Sequence, residues 1–464
     1  MIHLGVDLGT SSVKLLLVTT EGAENVWSEP YPVSAPKPGY AETESADWLA
    51  AIRKVAARLP SRKVDSIGLS GQMHGIVPCS LKRGALYPAI LWADQRGKEV
   101  LGRLEALGPD ARRRVRNSWA SGMAVSSILW IKVHMPELYR EADVFLTPKD
   151  YLRWVLTGQV GTDRSDASGT LLYDFVAGTW MGELLEGLDL DPGKLPPILE
   201  SSALAGSVSA DGERLTGLPL GARVGVGAAD TAAAIFGSRL PIGDTMQISI
   251  GSGTQVVRLL PELPEFHPAL NVFASVRPGL YYRMAGMLNG GVALEWVRRL
   301  IGMDWTEFYS LASQEKAPLD LIFLPYLAGE RTPYMNPDAR ASWSGLGLHH
   351  QPIDLLHAAL LGVACSVRLG LETMGTEGVS HFRIVGGSTR FPYWNQMLAN
   401  VLRVPLAVSS QADISARGAA MLGAEAIGTE LGFPQDFSIY QPAAWEGIDD
   451  YYLRFTGLYA RQLD

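Results

Sequence analysis

Asp7-Leu8-Gly9-Thr10-Ser11-Ser12-Val13-Lys14 lies between two apolar runs, Ile2 to Val6 and Leu15 to Val18. The runs have strand length and β-branched content, so the pattern predicts a hairpin with a polar turn. Gly9 lets that turn close tightly, so that successive amides can face one oxyanion. Thr10, Ser11 and Ser12 add hydroxyl donors, and Lys14 adds a positive charge. Asp7 would repel a phosphate, so it makes sense there only if a divalent cation, hydrated Mg²⁺, sits between it and a nucleotide. Taken alone, the segment also fits an ordinary hairpin whose turn is polar.

A second copy strengthens the phosphate reading. From Gln247 to Leu259 an apolar strand breaks at Gly251-Ser252-Gly253-Thr254 and resumes as an apolar strand near Arg258. It opens the second half of a 464-residue chain. One such hairpin at the head of each half suggests a duplicated domain, each copy gripping one polyphosphate from its own side of a cleft.

A chain of this length exceeds what one core usually serves, and two domains are expected, 1–237 and 238–464, with the boundary near Gly237 to Pro241. With 47% apolar and 19% charged residues the composition is that of an ordinary globular protein. The net charge of −8 gives no electrostatic reason to expect nucleic acid. The one basic run, Arg112 to Arg116, reads as a solvated helix face. Cys79 and Cys365 sit among apolar neighbours in opposite halves, which argues for reduced thiols and a cytoplasmic setting. No signal-peptide pattern opens the chain, and no uninterrupted apolar run approaches the ~20 residues of a membrane span.

Along the chain, helical spacing over about 45–59 follows Thr43 and Ser45 as candidate caps. Val64 to Leu69 reads as a strand emptying into Gly71-Gln72-Met73-His74-Gly75, and loops at carboxyl ends of strands are where open α/β sheets place ligands. The stretch 98–200 is largely helical in pattern. A strand at Ala222 to Val226 runs into Gly227-Ala228-Ala229-Asp230-Thr231 and a helix ending at Gly237. The second half repeats these ingredients: strand Leu280 to Met284, helices near 292–300 and 353–374, strand His381 to Val385 ending in Gly386-Gly387-Ser388, and helices near 392–402 and 415–427. The prediction is α/β, mixed sheets with helices packed on them.

No Gly-x4-Gly-Lys-Ser/Thr loop and no protein-kinase motif set occur. Two hairpins and a Gly-Gly-Ser strand end instead resemble the cleft of actin, hexokinase and the heat-shock ATPases. Gly71-Gln72-Met73-His74-Gly75, Ile90-Leu91-Trp92, Pro148-Lys149-Asp150-Tyr151-Leu152, Asp230, Leu327-Ala328-Gly329-Glu330-Arg331-Thr332-Pro333 and Gly386-Gly387-Ser388 make the match specific. In order and over nearly the full length, the chain resembles the FGGY carbohydrate kinases and, within them, the xylulokinases.

That resemblance implies two ribonuclease-H-like (actin/hexokinase-type) domains and ATP-dependent phosphorylation of a sugar hydroxyl, for xylulokinases the 5-hydroxyl of D-xylulose. Asp230 matches the family's catalytic base. As a helix N-cap it would be a weakened base, which phosphoryl transfer tolerates because positioning outweighs basicity. Asp7 takes the Mg²⁺ role. Thr10, Ser11, Lys14, Ser252 and the amides of Gly251 and Gly253 would hold phosphates. Gln72, Met73, His74 and Thr231 would face the sugar. Gly386, Gly387 and Ser388 would lie under the nucleotide, with Asn395 and Gln396 toward the adenine. Trp92 and Trp394 read as core, and His349-His350 as surface or packing residues without metal-ligand spacing. A homodimer is compatible with this reading.

Three departures stand out: Gly251-Ser252-Gly253 where the family commonly has Gly-Thr-Ser, Thr231 where several xylulokinases carry asparagine, and Ser127 where the signature has lysine. A kinase for another pentulose or a polyol stays open, as does a noncatalytic ATP-binding protein on the same cleft.

Overall fold

The computed structural model describes residues 1–22, 24–60, 63–314, 317–409, 411, 413–433 and 436–461; the side chain of Ser388 also lies outside the described set. Both quoted hairpins form. Ile2–Leu8 pairs antiparallel with Ser12–Thr19, and Thr245–Ile250 with Thr254–Leu260. Each leading strand also pairs in parallel with a later one, Ile2–Leu8 with Ser66–Gly71 and Thr245–Ile250 with His381–Val385. Nearly every residue of the two leading strands is buried, as expected of central strands covered on both faces.

The two halves therefore carry sheets of one design. The first runs Leu204–Ser207, Arg223–Gly225, Ser66–Gly71, Ile2–Leu8, Ser12–Thr19, Glu24–Pro30, with Ala228–Ala229 pairing beside Ser66–Gly71. The second runs Asn271–Ala274, Tyr281–Met287, Thr254–Leu260, Thr245–Ile250, His381–Val385, Leu406–Ser409, Phe437–Tyr440. On each, the hairpin is followed by two parallel strands and an antiparallel edge strand.

Helices in the second half match their sequence signals closely: Gly291–Ile301, Pro352–Met374, Pro392–Leu402 and Ile414–Glu425. Pro352–Met374 is long and apolar enough to cross a membrane by composition, yet its apolar window is 72% buried within the second core. The first half needs more correction. Over 98–200 the single helical pattern is broken into short helices, including Ala124–His134, Pro148–Thr157 and Arg164–Gly169, interleaved with two- and three-residue strands. Neither Thr43 nor Ser45 caps the helix Ser45–Ala56; Glu44 is its N-cap residue, without a side-chain bond, and Thr43 Oγ1 donates to Pro32 O. The arginines of the basic run pair with Glu105, Asp110, Asp174, Glu183 and Glu265. Cys79 and Cys365 are free and buried.

The halves meet along a seam of glycines. Helix Ile414–Glu425, from the second half, lies against Ile2–Leu8, Ser66–Gly71 and helix Asp230–Gly237 of the first. A Cβ on Gly5 would fall 1.9 Å from Ala416 O, on Gly68 1.7 Å from Ala419 O, and on Gly418 1.8 Å from Ala233 O. Only bare backbone permits this approach, so the small residues of Ile414–Glu425 are a packing requirement.

Candidate functional site

Asp7 and Asp230 are brought together by strand register. Asp7 lies opposite Ser70 on one side of Ser66–Gly71, and Ala228 lies opposite Ser70 on the other. The chain then turns into helix Asp230–Gly237. One intervening strand puts the two backbones roughly 10 Å apart at the same sheet end, with both side chains partly exposed to the gap between the halves. Ser70 Oγ donates to Asp7 Oδ1 at 2.7 Å.

The expectation that Asp230 is a helix N-cap is overturned. Ala229, not Asp230, is the N-cap residue, and Asp230 is the first residue inside the helix. Its Oδ1 accepts from Thr231 N at 2.6 Å and from Thr231 Oγ1 at 3.2 Å. Both contacts favour the charged form, but burial and then the nearby Asp7 charge outweigh them and push Asp230 up to about 7. Burial raises Asp7 as well, against Ser70 and Lys14, with Asp413 adding to the rise. Burial therefore raises both carboxyl groups.

Gly9 N donates to Ser12 O at 3.1 Å and Gly251 N to Gly253 O at 2.9 Å, so each hairpin turn is closed by an internal bond. The Gly251 amide is thereby already engaged, contrary to its assignment as a phosphate donor. Ser11 and Ser252 are exposed at the two turns. Gly9 O accepts from Gln72 Nε2 at 3.3 Å and from Tyr31 Oη, and Thr10 Oγ1 accepts from Trp92 Nε1 at 3.0 Å. Trp92 is therefore a half-buried side chain of the gap and not a core residue, whereas Trp394 is fully buried as expected. Lys14 Nζ lies 2.6 Å from Asp413 Oδ1, a partner in the other half that the sequence did not suggest.

The second hairpin faces the same gap. Thr231 Oγ1 lies 3.4 Å from Gln255 Oε1, just beyond the Gly251–Gly253 turn. Gly386 (φ +108°) would bring a Cβ within 3.2 Å of Ile250 O, so the Gly386-Gly387 strand end abuts that hairpin, and a Cβ on Gly387 would meet open space. Asn395 departs from its assignment: it is 1% exposed and donates to Thr389 O at 2.8 Å, bracing the strand-end loop. Gln396 donates to Asn400 Oδ1 and Gln441 O.

On the remaining side, His74 adopts φ +68° and its Nδ1 lies 2.7 Å from Gly169 O, which leaves Nε2 as an acceptor. Burial lowers its pKa to about 4, so the ring is neutral. Gln72 is 1% exposed, and its Oε1 has no hydrogen-bond partner among the described residues. Met73 is packed in the core and accepts from Tyr282 Oη at 3.5 Å, a role in support of the loop more than in contact with a ligand.

Several contributors were missed. Arg331, quoted as part of a motif but given no role, places its guanidinium 5.5 Å from the Trp92 ring centre across the gap. Glu330 accepts from the amides of Leu288 and Arg331, both at 2.7 Å, and burial pushes it up to about 7. Phe273 and Tyr282 extend the second half's sheet against His74, with ring centres 5.5 Å apart at each step. Ser127 is buried in helix Ala124–His134, and nothing in the structure explains its exchange for lysine. His349, His350 and Asp320 do gather their nitrogen and oxygen atoms within 4.8 Å, contrary to the expectation from spacing. Gly347 N donates to His350 Nδ1 at 2.8 Å, which puts the proton on Nε2, toward Asp320. A cavity of about 340 Å³ lies at the far end of helix Asp230–Gly237, lined by Phe236, Arg239, Leu259, Val276 and Met421 among others, away from Asp7 and Asp230.

Family models match both halves: the N-terminal domain of the FGGY family of carbohydrate kinases over residues 2–237 and its C-terminal domain over 246–427. The chain belongs to the FGGY family of carbohydrate kinases. Among its relatives, the xylulose kinase of Escherichia coli K12 is 32% identical over 91% of this chain and 89% of that protein. The xylulose kinase of Bacillus subtilis 168 is 32% identical over 91% and 87%. A crystal structure of a xylulose kinase from Brucella ovis superposes with a TM-score of 0.89 at 32% identity, covering 100% of both chains. That of the xylulose kinase from Rhodospirillum rubrum gives 0.86 at 27%, covering 99% of both. The two-sheet architecture is thus the actin/hexokinase-like fold of this family, and the chain is a sugar kinase.

Proposed function

We propose that this FGGY kinase transfers the γ-phosphoryl group of ATP to the 5-hydroxyl of D-xylulose. The observation that carries the reading is the strand register that sets Asp7 and Asp230 on either side of Ser66–Gly71, the strand that empties into the loop of Gln72, whose Oε1 is unpartnered among the described residues, and His74. Relatives named xylulose kinase across most of the chain support the choice of sugar.

In this reading the sugar hydroxyl sits between Asp230 and the γ-phosphorus. The O–P bond to the sugar forms as the bridging β–γ bond breaks and ADP leaves, while the hydroxyl proton passes to Asp230. A base titrating near 7 is half-available at neutral pH and retains driving force for that transfer. The exposed hydroxyls of Ser11 and Ser252 face the polyphosphate from the two turns, and Arg331 adds positive charge from the far wall. Asp7 offers an oxygen donor in a carboxylate-rich pocket, which suits a hard divalent cation, and Asp7 would hold Mg²⁺. When bound, that ion would supply positive charge against the phosphates.

The test is a coupled ADP-release assay over D-xylulose, D- and L-ribulose, gluconate and glycerol. D-Xylulose is expected to give the highest kcat/KM. Stimulation by another member of the panel reassigns the sugar, and no stimulation by any of them rejects the activity.

A further inference from the structure

We propose that a buried cluster built on Lys149, Asp163 and Ser165 positions Asp230 by clamping the kinked segment Val226–Ala229. The inference rests on Asp230 being the base.

The segment has an unusual backbone problem. Strand Arg223–Gly225 ends, Gly227 turns at φ +84°, and Ala228–Ala229 re-joins the strand Ser66–Gly71. A buried kink takes amide and carbonyl groups off the ladder, and each needs another partner. Val226 N donates to Ala203 O and Gly227 N to Ser201 O, both at 2.9 Å. The other partners are side chains of the cluster. Val226 O lies 3.5 Å from Lys149 Nζ and 3.3 Å from Arg153 Nη1, and Ala229 N donates to Ser165 Oγ at 2.9 Å. Ala229 is the residue immediately before Asp230.

The Ser165 hydroxyl is itself held. It donates to Asp163 Oδ2 at 2.5 Å, and Asp163 Oδ1 lies 3.2 Å from Lys149 Nζ. Lys149 Nζ is also 2.6 Å from Asp150 Oδ1 and 3.3 Å from Asp166 Oδ2, and Arg153 Nη1 is 2.8 Å from Asp150 Oδ1. The Lys149 stem props the strand between Asp7 and Asp230, since a Cβ on Gly71 would lie 3.1 Å from Lys149 Cβ.

All five charged side chains are at most 1% exposed. Three carboxyl groups face two cations, and burial raises Asp166 well above the usual carboxylate range. Apolar side chains could fill the same volume at no loss of stability. They could not hold the Val226 carbonyl and the Ala229 amide, and this is the physical reason for a charged cluster at this place.

The test uses the full chain carrying Ser165→Ala, with Ser201→Ala as control. Ser201 Oγ donates to the same Asp163 oxygen at 2.8 Å, but that hydroxyl makes no bond to the kinked segment. Ser165→Ala is expected to lower kcat about 10- to 100-fold, the cost of a small misplacement of a reacting group, with both KM values held within about twofold. Ser165→Thr, which keeps the hydroxyl, should recover most of the loss, and it carries the test if the alanine variant does not fold. Equal kcat in the two alanine variants overturns the proposal, as does a Ser165→Thr enzyme with the hydroxyl present and kcat still low. Turnover by Asp230→Asn would refute the base assignment itself; an inactive Asp230→Asn beside a fully active Ser165→Ala refutes only the clamp.

Discussion

Replacing Asp230 by asparagine should inactivate the enzyme and at the same time make it more stable, by an amount that depends on pH. Burial and Asp7 raise this carboxyl from 3.8 to about 7, so the folded state binds its proton more tightly than the unfolded chain does. The contribution to stability is complete below about pH 4 and is lost as pH rises toward 7, staying lost above it. Three pH units at about 1.4 kcal/mol each give roughly 4 kcal/mol of lost stability at pH 8, against about 1.5 kcal/mol at pH 5. Asparagine keeps an oxygen to accept from Thr231 N and has no charge to desolvate, so the variant should regain that difference. At about 2–4 °C per kcal/mol for a domain of this size, the melting temperature should rise by roughly 8–16 °C at pH 8 and by less than half of that at pH 5. Differential scanning calorimetry of both proteins at the two pH values measures it, with kcat expected to fall at least ~10²-fold. A shift that is the same at pH 5 and pH 8, or a destabilised variant at pH 8, would refute the argument that burial sets the base's pKa.

His74→Asn keeps a residue that tolerates positive φ but withdraws the imidazole Nε2. The KM for sugar should rise about tenfold, the worth of one hydrogen bond to a buried partner, with the KM for ATP unchanged in the same assay. Because His74 is neutral above about pH 4, wild-type activity between pH 5.5 and 8 should show no limb belonging to it, and an acid limb that disappears in His74→Asn would contradict this. Gly418→Ala should cost several kcal/mol and most of the activity, since its Cβ would lie 1.8 Å from Ala233 O and would push helices Asp230–Gly237 and Ile414–Glu425 apart. Urea unfolding and kcat should fall together; a variant of wild-type stability would show that the seam is looser than its backbone contacts indicate.

Local patterns carried far in this protein. The alternation and burial of Ile2 to Val18 and Thr245 to Leu260, broken by glycine turns, announced both hairpins, because a strand's period and a turn's stereochemistry are properties of adjacent residues. The same holds for helix Pro392–Leu402 and for strand His381–Val385, whose bounds the sequence nearly matched. Where elements are only a few residues long, as over 98–200, periodicity has too little length to register and the reading failed.

The electrostatics of the gap were not legible, for a different reason. Whether Asp230 is a weak base or one poised near neutrality depends on burial by distant segments and on Asp7, 223 positions earlier in the chain. Lys14 had an obvious charge but no visible partner until Asp413 came beside it, and Trp92, apolar by composition, became a wall of the gap through Thr10 and Arg331. Residue identity by itself determined which chemistry was available and which backbone turns were permitted. Only the tertiary structure decided each group's charge state and partner, because desolvation and Coulomb interactions act through space between residues that the chain order leaves far apart.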